Sequence, residues 1–174
     1  MQSPTRKTAV LGLLIALSLI FSYVESIIPV PLVVPGAKLG LPNTLILLSL
    51  YAYGAKEAAL VNGARIGLSG FLFGNMFSIL YSLAGAGFSF AVMVFAKRSG
   101  LFPMKAVSIL GGVFHNIGQI LVAAFLVSGI SVMAYLPVLL VAGVVTGLCN
   151  GILAEMIYKR GMYDRICKGF IGRN

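Results

Sequence analysis

The sequence predicts an all-α polytopic membrane protein with six transmembrane helices and both termini in the cytoplasm. Three observations carry this expectation. Hydrophobic residues fill 59% of 174 positions and charged residues only 10%, too few to clothe a soluble domain. The apolar residues fall into successive runs separated by short polar or Gly/Pro-marked breaks. The cations collect at alternate breaks, which is the positive-inside pattern of a multi-pass protein.

A spanning helix needs ~20 residues, so the chain has room for about six or seven helices. Residues 1–174 are read as a single integral membrane domain. Any ATPase or conventional catalytic domain belongs to another chain.

The first apolar run, 8–28, follows Arg6 and Lys7 in the manner of a signal peptide. It is long, carries Glu25, lacks an Ala-x-Ala cleavage site and leads into further spans, so it is read as a retained helix. Helices 2 and 3 are placed at 41–55 and 58–73, both short, and therefore tilted, covered by protein or extended by their flanks. Helices 4, 5 and 6 are placed at 76–96, 105–128 and 131–157, followed by a basic tail at 158–174.

With the N-terminus inside, Arg6, Lys7, Lys56, Lys97, Arg98, Lys105, Lys159, Arg160, Arg165, Lys168 and Arg173 all fall on the cytoplasmic side of a cell-membrane protein. Lys38 faces outward and Arg65 lies within helix 3. The net charge of +9 then reports topology and not nucleic-acid binding. The glycine-containing tail is a poor membrane anchor by itself and reads as a solvated end or a docking strip for a partner.

Cys149 sits in the last apolar run and Cys167 in the tail, roughly 27 Å apart at helical rise. Both read as free thiols. His115 is the single histidine and has no Asp, Glu or Cys beside it, so no metal or other cofactor is expected.

The loop Pro29 to Thr44, PVPLVVPGAKLGLPNT, is Pro- and Gly-punctuated and carries Lys38. Between two apolar runs, it is the natural place for recognition chemistry. Arg65, inside NGARIGLSG, would cost at least ~2.5–3.5 kcal/mol facing lipid. It either clamps Glu25 or faces a substrate. In GGVFHNIGQ, His115 and Gln119 are four apart on one helical face with Asn116 beside them. These groups face a ligand or act as interhelical glue. Asn43 and Asn75 belong near the outer ends of their helices, and with Glu25 and Lys38 outline an outward pocket. Asn62 and Asn150 add polarity. Tyr51, Tyr81 and Tyr135 stack on an aromatic ligand or anchor at the interface. Glu155 and Lys159 form a structural i,i+4 pair.

Small residues mark helix 1 (Ala9, Gly12, Ala16), helix 4 (Ala84, Gly85, Ala86, Gly87, Ala91) and helix 6 (Ala142, Gly143, Gly147, Gly151, Ala154). They permit close helix approach, within the bundle or against another membrane subunit.

The segment PGAKLGLPNT, with GARIGLSGFLFGN and GGVFHNIGQ, resembles the family called heptaprenyl diphosphate synthase component I, or the Gx transporter family. That family is similar to the substrate-binding S components of energy-coupling factor (ECF) transporters. The resemblance implies an S component with six helices and an outward pocket lidded by the first loop. The polar residues read above as its candidate lining are Glu25, Lys38, Asn43, Arg65, Asn75, Tyr81, His115, Asn116 and Gln119. The resemblance also implies docking through Ala9, Gly12 and Ala16 to a scaffold membrane subunit served by two ATPases, although Gly12-x-x-x-Ala16 stands where that family shows Ala-x-x-x-Ala. The cargo would be a vitamin-like, isoprenoid or quinone-related molecule.

The synthase name implies a second function. Prenyl transfer needs clustered aspartates to hold magnesium and diphosphate, and the chain has one aspartate, Asp164. It is therefore not expected to be an enzyme. The alternative function is a non-catalytic membrane partner of a polyprenyl diphosphate synthase. A stand-alone carrier would call for inverted repeats, which the sequence does not display.

Overall fold

The computed structural model describes residues 4–27, 40–74, 76–127 and 130–161. Among these residues it is an all-α bundle: α1 Pro4–Ile27, α2 Leu41–Ala52, α3 Ala55–Phe73, α4 Met76–Ser99, α5 Met104–Val127 and α6 Leu136–Lys159, the last entered through a 3-10 turn at Ile130–Tyr135.

Among the described residues, four segments are long and apolar enough to cross a membrane: Thr5–Ile27, Ile79–Ser99, Met104–Leu126 and Met133–Lys159. This corrects the expectation of six transmembrane helices. The twelve residues of α2 rise about 18 Å, little more than half of a ~30 Å hydrocarbon core. α3 has nineteen residues, but Lys56, Glu57 and Arg65 make it too polar to count as a span.

α2 instead fills the centre. Pro42 and every residue from Thr44 to Leu50 are buried, and α2 packs against α1, α3 and α6. Ile46, Leu47, Leu48 and Leu50 join Val10 and Leu14 of α1, Val61 of α3, Met93 of α4, Val107 of α5 and Ala154 of α6 in one core. An all-round apolar helix of this length behaves as a buried core helix.

The other half is built on glycine. A Cβ added to Gly112 would lie 2.4 Å from the Gly143 carbonyl oxygen, and one on Gly147 would lie 2.7 Å from Ile109 Cα. Only hydrogen allows the backbones of α5 and α6 to approach so closely. Gly85 and Gly118 do the same for α4 and α5, where a Cβ on Gly118 would stand 2.8 Å from the Ala84 oxygen. Much of the small-residue pattern of α4 and α6 is thus consumed inside the fold.

The charged groups mark one end of the bundle. Lys7 at the start of α1 pairs with Glu57 at the start of α3. Lys105 at the start of α5 lies 3.3 Å from Glu155 near the end of α6, which also pairs with Lys159. Lys97 near the end of α4 donates to the Leu50 carbonyl of α2 at 2.5 Å and lies over the Tyr51 ring. The starts of α1, α3 and α5 therefore gather with the ends of α2, α4 and α6. At the opposite end Tyr23 of α1 meets Phe73 of α3 edge-on at 5.6 Å.

Candidate functional site

The polar interior is organised around Gly40, the residue that opens α2. Gly40 has φ +72°, a left-handed conformation that glycine adopts without steric cost. Its N–H donates to Glu25 Oε1 of α1. Its carbonyl accepts from the Asn43 backbone N–H at 2.8 Å, closing the first turn of α2, and from Asn150 Nδ2 of α6 at 3.1 Å. Asn150 Oδ1 accepts from Thr44 Oγ1 at 3.0 Å. One buried asparagine thus satisfies both a loop carbonyl and a helix hydroxyl. A Cβ on Gly40 would stand 3.1 Å from the side-chain amide nitrogens of Asn43 and Asn150, so the knot is also closely packed.

Arg65 belongs to the adjoining interface of α1 and α3. Its guanidinium donates to Asn62 Oδ1 at 2.9 Å and to Ser22 Oγ at 3.4 Å, while its buried Nε has no hydrogen-bond partner. Glu25 acts on it electrostatically. The buried hydroxyl of Ser18, one turn before Ser22 on α1, is likewise without a partner. A cation set among hydroxyls and an amide, beside a carboxylate already engaged with Gly40, keeps spare donor capacity in an apolar interior.

The knot and its neighbour bring together Glu25, Asn43 and Arg65 from the sequence-derived set. They add Ser22, Gly40, Asn62, Thr44 and Asn150, which that set omitted. The signal for Asn150 was its amide in an otherwise apolar run; its partners are more than a hundred residues away in sequence.

The α5 group divides. His115 and Gln119 lie over Gly85 of α4, whereas Asn116 turns to α6 and donates to the Leu139 carbonyl at 2.6 Å. Leu139 precedes Asn150 by eleven residues on α6, about 16 Å at helical rise. Asn116 therefore lies away from the Gly40 knot and joins α5 to α6 at a separate level. Tyr81 is half-buried on α4. Lys38, Asn75 and most of the Pro29–Thr44 loop lie outside the described residues. Ala9, Gly12 and Ala16 share an exposed face of α1, and a Cβ on Gly12 would meet nothing within 4 Å.

Among the described residues no group of three or more His, Cys, Asp or Glu side chains could hold a metal ion. The site can anchor polar groups and orient a helix end. Its described residues offer no acid–base pair or nucleophile set for group transfer.

A family model described as heptaprenyl diphosphate synthase component I matches residues 14–157. Comparison with curated proteins and with solved structures gave no match. The match names a synthase component and lends nothing to the likeness with ECF S components. It overturns the expected transporter role, together with its scaffold subunit and two ATPases. The chain, a multi-pass α-helical membrane protein with four apolar spans among its described residues, belongs to the heptaprenyl diphosphate synthase component I family.

Proposed function

We propose that this protein is the non-catalytic membrane partner of a polyprenyl diphosphate synthase, whose prenyl-transfer chemistry resides on a separate chain. The observation that carries the reading is the family match across residues 14–157. The residue inventory supports the division of labour. One aspartate in 174 residues cannot form the paired acidic clusters that hold magnesium and diphosphate.

A synthase that lengthens an isoprenoid makes a product with a long apolar tail and a charged head. A membrane partner would hold that synthase where the product partitions. The end bearing Lys7, Lys56, Lys97, Arg98, Lys105 and Lys159 faces the cytoplasm of the cell membrane in this reading, in keeping with the positive-inside rule. Glu25, Asn43 and Arg65, with Gly40, Thr44 and Asn150, form the polar interior through which the protein would contact a small amphiphile.

The test is purification of the full chain from its native membrane in mild detergent, with mass spectrometry of the associated chains. A polyprenyl diphosphate synthase polypeptide in near-stoichiometric amount is the expected result. A complex that forms reproducibly without any such chain overturns the proposal.

A further inference from the structure

The connection between α4 and α5 is a built turn with an apolar tip. Gly100 takes φ +68°, and its N–H donates to the Lys97 carbonyl at 3.3 Å. Ser99 Oγ donates to the Ala96 carbonyl at 2.8 Å and accepts from the Leu101 N–H at 3.4 Å. Pro103 then opens α5, its carbonyl accepting from the Val107 N–H at 3.1 Å. On this scaffold Leu101 is 80% exposed and Phe102 43% exposed.

The position of the tip separates it from the lipid-facing leucines of the helices. The twenty-four residues of α4 rise about 36 Å, beyond a ~30 Å hydrocarbon core. Lys97 and Arg98 occupy its last turn, and Lys105 follows just inside α5. Leu101 and Phe102 lie between Arg98 and Lys105, outside both the apolar span Ile79–Ser99 and the apolar span Met104–Leu126.

The surrounding charge is one-sided. The described acids at this end are already engaged, Glu57 by Lys7 and Glu155 by Lys105 and Lys159. Lys56, Arg98 and Arg160 are exposed; Lys56 acts on Glu57, which Lys7 already holds, and the described ion pairs of this end leave out Arg98 and Arg160.

We infer that the Ser99–Pro103 turn is a docking knob for a water-soluble protein, with Leu101 and Phe102 entering an apolar cleft whose rim carries Asp and Glu. Resting on the function proposed above, the occupant is the catalytic synthase chain. An apolar anchor within a charged ring is the arrangement that concentrates binding energy in a few residues, and the cations steer the encounter.

The experiment uses the full chain in nanodiscs of phosphatidylcholine and phosphatidylglycerol, with the purified catalytic synthase chain of the same organism as probe. Leu101→Asp is expected to weaken binding at least fivefold, with helix content and thermal midpoint unchanged. Arg98→Glu is expected to weaken it and to flatten its salt dependence. A loss below fivefold for Leu101→Asp overturns the inference while leaving the proposed function standing. Failure of the unsubstituted chain to bind the synthase overturns both.

A second readout uses the absence of tryptophan from the sequence. Leu101→Trp supplies a single fluorophore, expected to shift to the blue when the synthase is added and to resist quenching by acyl-brominated lipid beforehand. Quenching by that lipid in the absence of synthase would place the turn in the bilayer and overturn the inference.

Discussion

Asn150 of α6 and Thr44 of α2 share a 3.0 Å buried hydrogen bond across 106 residues of sequence. The same amide reaches Gly40, so one side chain locks the beginning of the central helix to α6. Asn150→Leu leaves the Thr44 hydroxyl without its acceptor and removes a donor from the Gly40 carbonyl. We expect a loss of ~1–3 kcal/mol, read as a lower thermal midpoint in detergent. Gly40→Ala is expected to cost a further ~1–2 kcal/mol from its left-handed backbone, because the new methyl also meets Asn43 and Asn150. A double substitution that costs no more than either single change would show the two positions acting as one unit.

Glycines in the two halves should respond oppositely. Gly147→Ala drives a methyl to 2.7 Å from Ile109 Cα, a backbone atom that cannot step aside. A loss of at least ~1–3 kcal/mol follows. Gly63→Ala and Gly67→Ala on α3 meet nothing within 4 Å and should be neutral or stabilising by up to ~1 kcal/mol. Parallel melting curves of the three variants check the contrast, and equal effects would refute it.

The Glu57 carboxyl is held below its ordinary value of 4.5, chiefly by the hydrogen bond from Lys7. Its folded-state value lies below its unfolded one. The associated stability is therefore complete above about pH 4.5 and is lost as pH falls through the depressed folded value. Glu57→Gln should flatten the dependence of the thermal midpoint on pH below that point and leave it nearly unchanged at pH 7. An unaltered acid profile would remove the Lys7–Glu57 pair from the account.

Lys97 caps the far end of α2 by donating to the Leu50 carbonyl and covering the Tyr51 ring at 4.9 Å. Lys97→Met keeps the aliphatic stem but loses the charge-assisted bond. A cost of ~1–3 kcal/mol is expected, and Arg98→Met, on an exposed side chain, should cost well under 1 kcal/mol. The difference between these neighbours, measured in one detergent, is the test.

Much of the helical order was legible because apolar runs and cation clusters are local signals. The number of spans was not. α2 looked like a short membrane crossing because its burial against α1, α3 and α6 leaves the same apolar signature as lipid contact. His115, Asn116 and Gln119 looked like one cluster in sequence. Adjacent helical positions lie about 100° apart, so Asn116 meets α6 while His115 and Gln119 lie against α4. Glu25, Asn43 and Arg65 stood out by their chemistry. Gly40 and Thr44 did not, because their importance comes from partners on α1 and α6.

The short length of α2 bears on how the protein is made. About 18 Å of helix is too little to be handed into the bilayer by hydropathy alone, and an amide that helps to fix its start belongs to α6, which is made later. The Asn150 bonds can therefore form only after α6 has been made, a later step than the packing of α2 on α1 and α3. A chain truncated ahead of Asn150 would leave the start of its central helix held from α1 alone, a natural substrate for membrane quality control.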